Sequence, residues 1–210
     1  MKKLIQEYRE KSNIIKQRLC EFKKLQKADE KTVFYELCFC LLTPQSKALN
    51  CDAIIQKIKK SDTKIFNDPN ALKSYLKGRT RFHNKKALYL SKAFRFFQNG
   101  GKLSVKNKLN HTSNKRAREW LVKNIKGLGY KEASHFLRNI GMGKNLSIID
   151  RPILTNLKKY KIIKEVPSSI SKKTYLDIEE KMSRFCRRIN IPIEELDLLF
   201  WSIQTGTVFK

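Results

Sequence analysis

The stretch "IKGLGYKEASHFLRNIG", Ile125 to Gly141, sets two glycines one residue apart in front of a well-patterned helix. Gly127 and Gly129 permit positive φ and close approach by another backbone, and Leu128 between them can plug a seam between two helices. Upstream, "NKRAREWLVKNI" puts Ala117, Trp120, Leu121 and Ile125 on one face. Downstream, Ala133, Phe136, Leu137 and Ile140 form the core side, with Lys131, Ser134 or His135, and Arg138 expected opposite. Residues from about 114 to 141 therefore read as helix, tight turn, helix. A glycine turn that ends at a helix N-terminus exposes amide hydrogens able to hold a phosphate oxygen. Such a turn can grip a nucleic-acid backbone without reading its sequence. The alternative is a corner between two helices whose glycines serve geometry alone.

Working outward, the same 3.6-residue periodicity continues. Leu4, Tyr8, Ile15, Leu19 and Phe22 mark one face of a long first helix, and "DEKTVFYELCFCLL" begins with a capping aspartate, Asp29, before turning apolar nearly all round. That pattern predicts a central buried helix. In "TPQS", Thr43 can cap and Pro44 suits the first position of a following helix. Paired glycines close the helix of "HNKKALYLSKAFRFF", and a final helix is expected from near Pro192 to Gly206. Alternating strand patterns are scarce, so the fold class is all-α.

Composition narrows the partners. The chain has 210 residues, with 46 Lys and Arg against 19 Asp and Glu, a formal charge of +27. An excess of that size points to a polyanion. The longest apolar run, Val33 to Leu42, is interrupted by Glu36 and is too short to span a bilayer. With no signal-peptide core at the N-terminus, a cytoplasmic location is expected. Cys20, Cys38, Cys40, Cys51 and Cys186 show neither zinc nor iron–sulfur spacing, so neither a metal nor a cofactor is expected.

Lys131 stands apart from the other basic residues by position. It occupies the first turn beyond the glycine grip, where helix-end potential and basic neighbours are expected to favour the nucleophilic amine. Downstream, "LSIIDRPIL" is an apolar approach to one acid, Asp150, at a helix start. Capping explains that aspartate; so does pairing with an amine nucleophile.

The motifs "GLGYK" and "IIDR", in order and spacing, resemble the hairpin, catalytic lysine and catalytic aspartate of the helix-hairpin-helix DNA glycosylases. "CFCLLTPQS" is similar to that superfamily's "LSxQ" segment. "GYKEASHFLRNIG", "RFHNKKA", "ELDLLFW" and the ending "TGTVFK" resemble more narrowly the compact 8-oxoguanine DNA glycosylase/lyases of archaea and some bacteria. The resemblance implies that Lys131 attacks C1′ of the damaged nucleotide, displaces the base and forms a Schiff base that leads to β-elimination, with Asp150 supporting the developing positive sugar. It implies a nucleotide turned out of the stack. It also implies that Gln45 enters the gap left by the base, Phe82 wedges between bases, Arg81 faces the orphaned cytosine, and Trp201 and Lys210 line the base pocket. By composition alone, Trp201 would be core and Lys210 a frayed end. One position departs from the family pattern: Pro152 stands where a histidine that helps hold a phosphate is usual.

Together these readings imply two helical lobes flanking a DNA-binding cleft. One lobe is expected over residues 29–143 and includes the helix-hairpin-helix; the other joins 1–28 to 144–210. The expected partner is double-stranded DNA carrying oxidised guanine, acted on by a monomer without contact with a membrane. A glycosylase for another oxidised base, or a non-catalytic helix-hairpin-helix DNA-binding module, would share the charge and the turn.

Overall fold

A computed structural model describes residues 1–60, 63–109 and 113–209. Among these, eleven α-helices account for nearly all regular structure: α1 (Lys2–Lys24), α2 (Glu30–Leu42), α3 (Ala48–Lys59), α4 (Pro69–Leu76), α5 (His83–Phe97), α6 (Val105–Lys108), α7 (Asn114–Asn124), α8 (Tyr130–Asn139), α9 (Arg151–Lys159), α10 (Lys172–Ile189) and α11 (Ile193–Thr205). A two-stranded hairpin, β1 (Gln98–Asn99) with β2 (Lys102–Leu103), turns through Gly100 and Gly101, both at positive φ. No described helix is long and apolar enough to cross a membrane.

The chain forms two compact units, Lys27–Phe136 and Met1–Gln26 with Leu137–Lys210. The return crossing falls at Phe136/Leu137, inside α8, rather than after Gly143.

In the 27–136 unit, α2 is the central helix, and every residue from Val33 to Leu42 is buried, Glu36 included. Asp29 caps it by accepting the Thr32 N–H at 2.6 Å, which also holds the aspartate below its ordinary pKa. Phe34 meets Phe66 edge-on at 5.2 Å, and Phe66 stacks on Phe94 at 5.3 Å, so α2, the turn before α4, and α5 share one aromatic cluster. The expectation for "TPQS" needs correction. Thr43 ends α2 rather than capping α3: its hydroxyl donates to the Cys40 carbonyl, and Ser46 N–H closes a turn on the Thr43 carbonyl. Pro44 and Gln45 lie in that turn, and α3 starts only at Ala48.

In the other unit the counterpart of α2 is α11, buried from Ile193 through Phe200 except Glu194. It packs against α1, α9 and α10, and Tyr160 stacks flat on Phe200 at 5.6 Å. Gly206 terminates α11 in the left-handed region. Gly141 likewise ends α8, with Met142 N–H reaching the Leu137 carbonyl and Gly141 N–H the Arg138 carbonyl. A Cβ on Gly141 would come within 2.8 Å of the Lys23 Cα, so close helix approach adds to the conformational reason for glycine.

Candidate active site

The hairpin turn is built on Gly127. Its φ of +96° suits only glycine, and a Cβ there would lie 2.3 Å from the Tyr89 ring. Leu128 is buried beneath the turn, its N–H bonded to the Ile125 carbonyl. Gly129 differs: it is not at positive φ, and a Cβ would meet only the end of the Glu132 side chain at 3.0 Å. Its carbonyl accepts the Ala133 N–H and its own N–H donates to Glu132 Oε2 at 3.3 Å, so a carboxylate tops the helix where an anion would be drawn.

Lys131 sits on the first turn of α8, its side chain 24 % exposed and its Nζ 3.8 Å from Glu132 Oε1. That carboxylate was not foreseen as a neighbour, although its place directly after the lysine is legible. The positive charges of Lys131 and Lys86 act on Cys51, yet burial dominates and pushes that thiol up to about 11. The thiol is therefore neutral, and it donates to the Leu42 carbonyl at 3.2 Å.

The far side of α8 is not a solvent face. Ser134, His135 and Arg138 are all buried, against expectation. Arg118 donates to Ser134 Oγ at 3.1 Å, His135 meets Phe39 edge-on at 5.5 Å, and Arg138 lies over the Phe22 ring and pairs with Asp197 at 3.2 Å. Ser134 and Arg138 find polar partners here instead of water, and His135 packs against an aromatic ring.

Asp150, in the other unit, is the N-cap of α9 and accepts the Ile153 N–H at 3.1 Å, with Pro152 in the first turn. The non-helical approach to it is buried, so its backbone groups need partners. Asp197 Oδ1 accepts Ile148 N–H at 2.9 Å and the Ser147 hydroxyl at 3.1 Å. Glu179 accepts Ser147 N–H at 2.9 Å, and the Tyr175 hydroxyl donates to the Ser147 carbonyl at 2.6 Å. Burial pushes Asp197 up to about 7, against the opposing pull of Arg138 and the Ile148 N–H. These positioning residues escaped the sequence reading; the only signal was a lone aspartate inside the apolar run "ELDLLFW".

Gln45, Arg81 and Phe82 lie in the same unit as the hairpin. Gln45 and Arg81 line one open pocket of about 430 Å³ with Ser46, Asn50, Arg79 and Thr80. Gln45 and Phe82 both adopt the left-handed region, at φ 52° and 56°. Phe82 is 50 % exposed, with the Arg81 guanidinium 5.6 Å from its ring centre. Beneath both loops lies buried Lys86, whose ammonium donates to the carbonyls of Leu42 (2.6 Å) and Pro44 (2.9 Å) and to the hydroxyls of Ser46 and Thr80 (both 2.9 Å). Burial lowers its pKa. Trp201 lies on α11, half-buried, and Lys210 is outside the described residues. Among the described residues no cluster of His, Cys, Asp and Glu could hold a metal ion.

Comparison with known proteins gives a consistent picture. A family model described as 8-oxoguanine DNA glycosylase matches residues 15–191. A Fusobacterium nucleatum protein named 8-oxoguanine DNA glycosylase/AP lyase is 44 % identical over 205 residues, covering 97 % of this chain and 94 % of that protein. A Methanocaldococcus jannaschii protein of the same name is 38 % identical, covering 94 % and 92 %. The crystal structure of the M. jannaschii enzyme in complex with a 15mer DNA containing 8-oxoguanine matches with a TM-score of 0.87 at 37 % identity, covering 99 % of both chains.

Proposed function

The chain belongs to the 8-oxoguanine DNA glycosylase family, and from that membership we propose that it excises 8-oxoguanine from duplex DNA and nicks the strand at the resulting abasic site. The single observation that carries the chemistry is the placement of Lys131, a part-exposed amine one helical step beyond a turn that only glycine can form. The backbone of residues 127–129 holds DNA phosphate, with Glu132 yielding its place at the helix end to the incoming anion.

The Lys131 amine attacks C1′ of the everted nucleotide as the glycosidic bond breaks. The bonding pair leaves with the base, which takes up a proton. Ring opening gives an imine between Nζ and C1′. Loss of a C2′ proton then expels the 3′ phosphate by β-elimination, and water hydrolyses the imine to release the enzyme. Asp150 stabilises the positive charge that develops on the sugar and assists proton transfer at the amine. Gln45 enters the gap the base leaves, Phe82 wedges between bases and Arg81 faces the orphaned cytosine, while Trp201 and Lys210 line the base pocket. The enzyme acts as a cytoplasmic monomer and needs no cofactor.

Incubation with an 8-oxoguanine duplex and borohydride should trap a covalent complex, because hydride reduces the imine to a stable amine. Lys131→Gln should lower trapping by at least about 10³-fold and leave duplex binding within a few-fold of wild type. Undiminished trapping would remove Lys131 from its role; no trapping by the folded wild-type chain would remove the lyase mechanism itself.

A further inference from the structure

Gln45 and Phe82 stand on separate loops, yet those loops share one buried cation. The geometry points to Lys86 as a positioning residue that locks the two loops into a single preformed probe of the duplex; this rests on the lesion-probing reading of Gln45 and Phe82 above. The partners of its ammonium come from both sides. The Pro44 carbonyl and the Ser46 hydroxyl flank Gln45, and the Thr80 hydroxyl lies just before Arg81 and Phe82. The two hydroxyls also bond each other at 2.9 Å, and Ser46 Oγ accepts the Arg81 N–H at 3.3 Å. Three ammonium protons thus face four oxygens, so the cation is fully engaged within the protein. The Leu42 carbonyl anchors it to the C-terminal end of α2, where positive charge is favoured.

Both probe residues hold a left-handed backbone that a loose loop would relax away from. Everting a base opens a gap that side chains must fill as it forms. Loops that became ordered only on touching DNA would add their conformational entropy to the cost of eversion. Tied through Lys86, they bear that cost when the chain folds.

The test compares two substrates. An 8-oxoguanine duplex requires a stacked nucleotide to be everted, whereas a preformed abasic site is already unstacked. Lys86→Met should slow single-turnover base release from the duplex about 10- to 100-fold while changing borohydride trapping at the abasic site less than about threefold. Should that variant fail to fold, Ser46→Ala combined with Thr80→Val cuts the link between the loops and leaves the lysine on its two carbonyls. It should shift the same ratio in the same direction, and Thr80→Ser should restore it. Gln45→Ala and Phe82→Ala run alongside: if neither slows release from the duplex, the loops are not probes and the reading beneath the inference fails. If they do slow it while the Lys86 and hydroxyl variants leave the ratio unchanged, or lower both activities equally, Lys86 is a core residue only and the inference is overturned.

Discussion

Among the positions of the 27–136 unit that hold a positive φ, the hairpin and the paired loops do so by opposite means. At the hairpin, Gly127 lies against the Tyr89 ring with no room for a Cβ, and glycine adopts the conformation at little cost. At the paired loops, Gln45 and Phe82 carry full side chains in the left-handed region, where an L-residue is disfavoured by about 1–2 kcal/mol. There the hydrogen bonds of Lys86, Ser46 and Thr80 hold the backbone in place. On the roles proposed above, the difference follows from what each surface would present to DNA. A turn that grips a phosphate offers its own amides, and a side chain would obstruct them. A loop that enters a base stack must offer a side chain, so glycine is useless at its tip and the strain is carried by neighbours.

The sharpest way to break this contrast is Gly127→Ala. The clash with Tyr89 and the left-handed backbone together should cost roughly 3 kcal/mol or more in chemical denaturation, with duplex affinity falling alongside. A cost below about 1 kcal/mol would mean that the turn slides off Tyr89 and that its glycine is not sterically required.

The loops predict the reverse balance of stability and activity. Gln45→Gly and Phe82→Gly should each leave stability within about 1 kcal/mol of wild type, because relief of the left-handed strain offsets the greater freedom of the unfolded chain. Base release should nevertheless slow in both. A marked loss of stability would show that the tips, rather than the network beneath them, hold the loops.

The smallest effect should come from Gly129→Ala. Its backbone is not left-handed, and the new methyl meets only the mobile end of Glu132. A thermal-melt change equivalent to less than about 1 kcal/mol is expected. An effect as large as that of Gly127→Ala would make the two glycines a single unit and erase the distinction between them.

Much of this was legible in order along the chain. Asp29 and Asp150 cap helices as short acidic residues ahead of periodic apolar runs do, and Gly206 ends the last helix. The buried α2 announced itself by apolar residues on every side. What went unread were charges in the interior. Arg138 was expected opposite the core side of its helix, and nothing local marks Arg118 or Lys86 among 46 cations. All three are buried on partners distant in sequence: Arg118 on Ser134, Arg138 on Asp197, Lys86 on the turns before α3 and α5. Periodicity separates polar from apolar sides of a helix, but it carries no information about a polar side that is satisfied by another element.

By itself, the sequence determined the helical class, the glycine turn, the lysine two residues beyond it and the acid at the head of α9, because each rests on residues close together in the chain and on local backbone sterics. Only the tertiary structure decided that Tyr89 closes over Gly127, that Asp197, Glu179 and Tyr175 hold the approach to Asp150, and that one buried ammonium joins the loops of Gln45 and Phe82. Those are contacts between groups far apart in sequence, and hydrogen bonds of that kind exist only once burial has removed water as the competing partner.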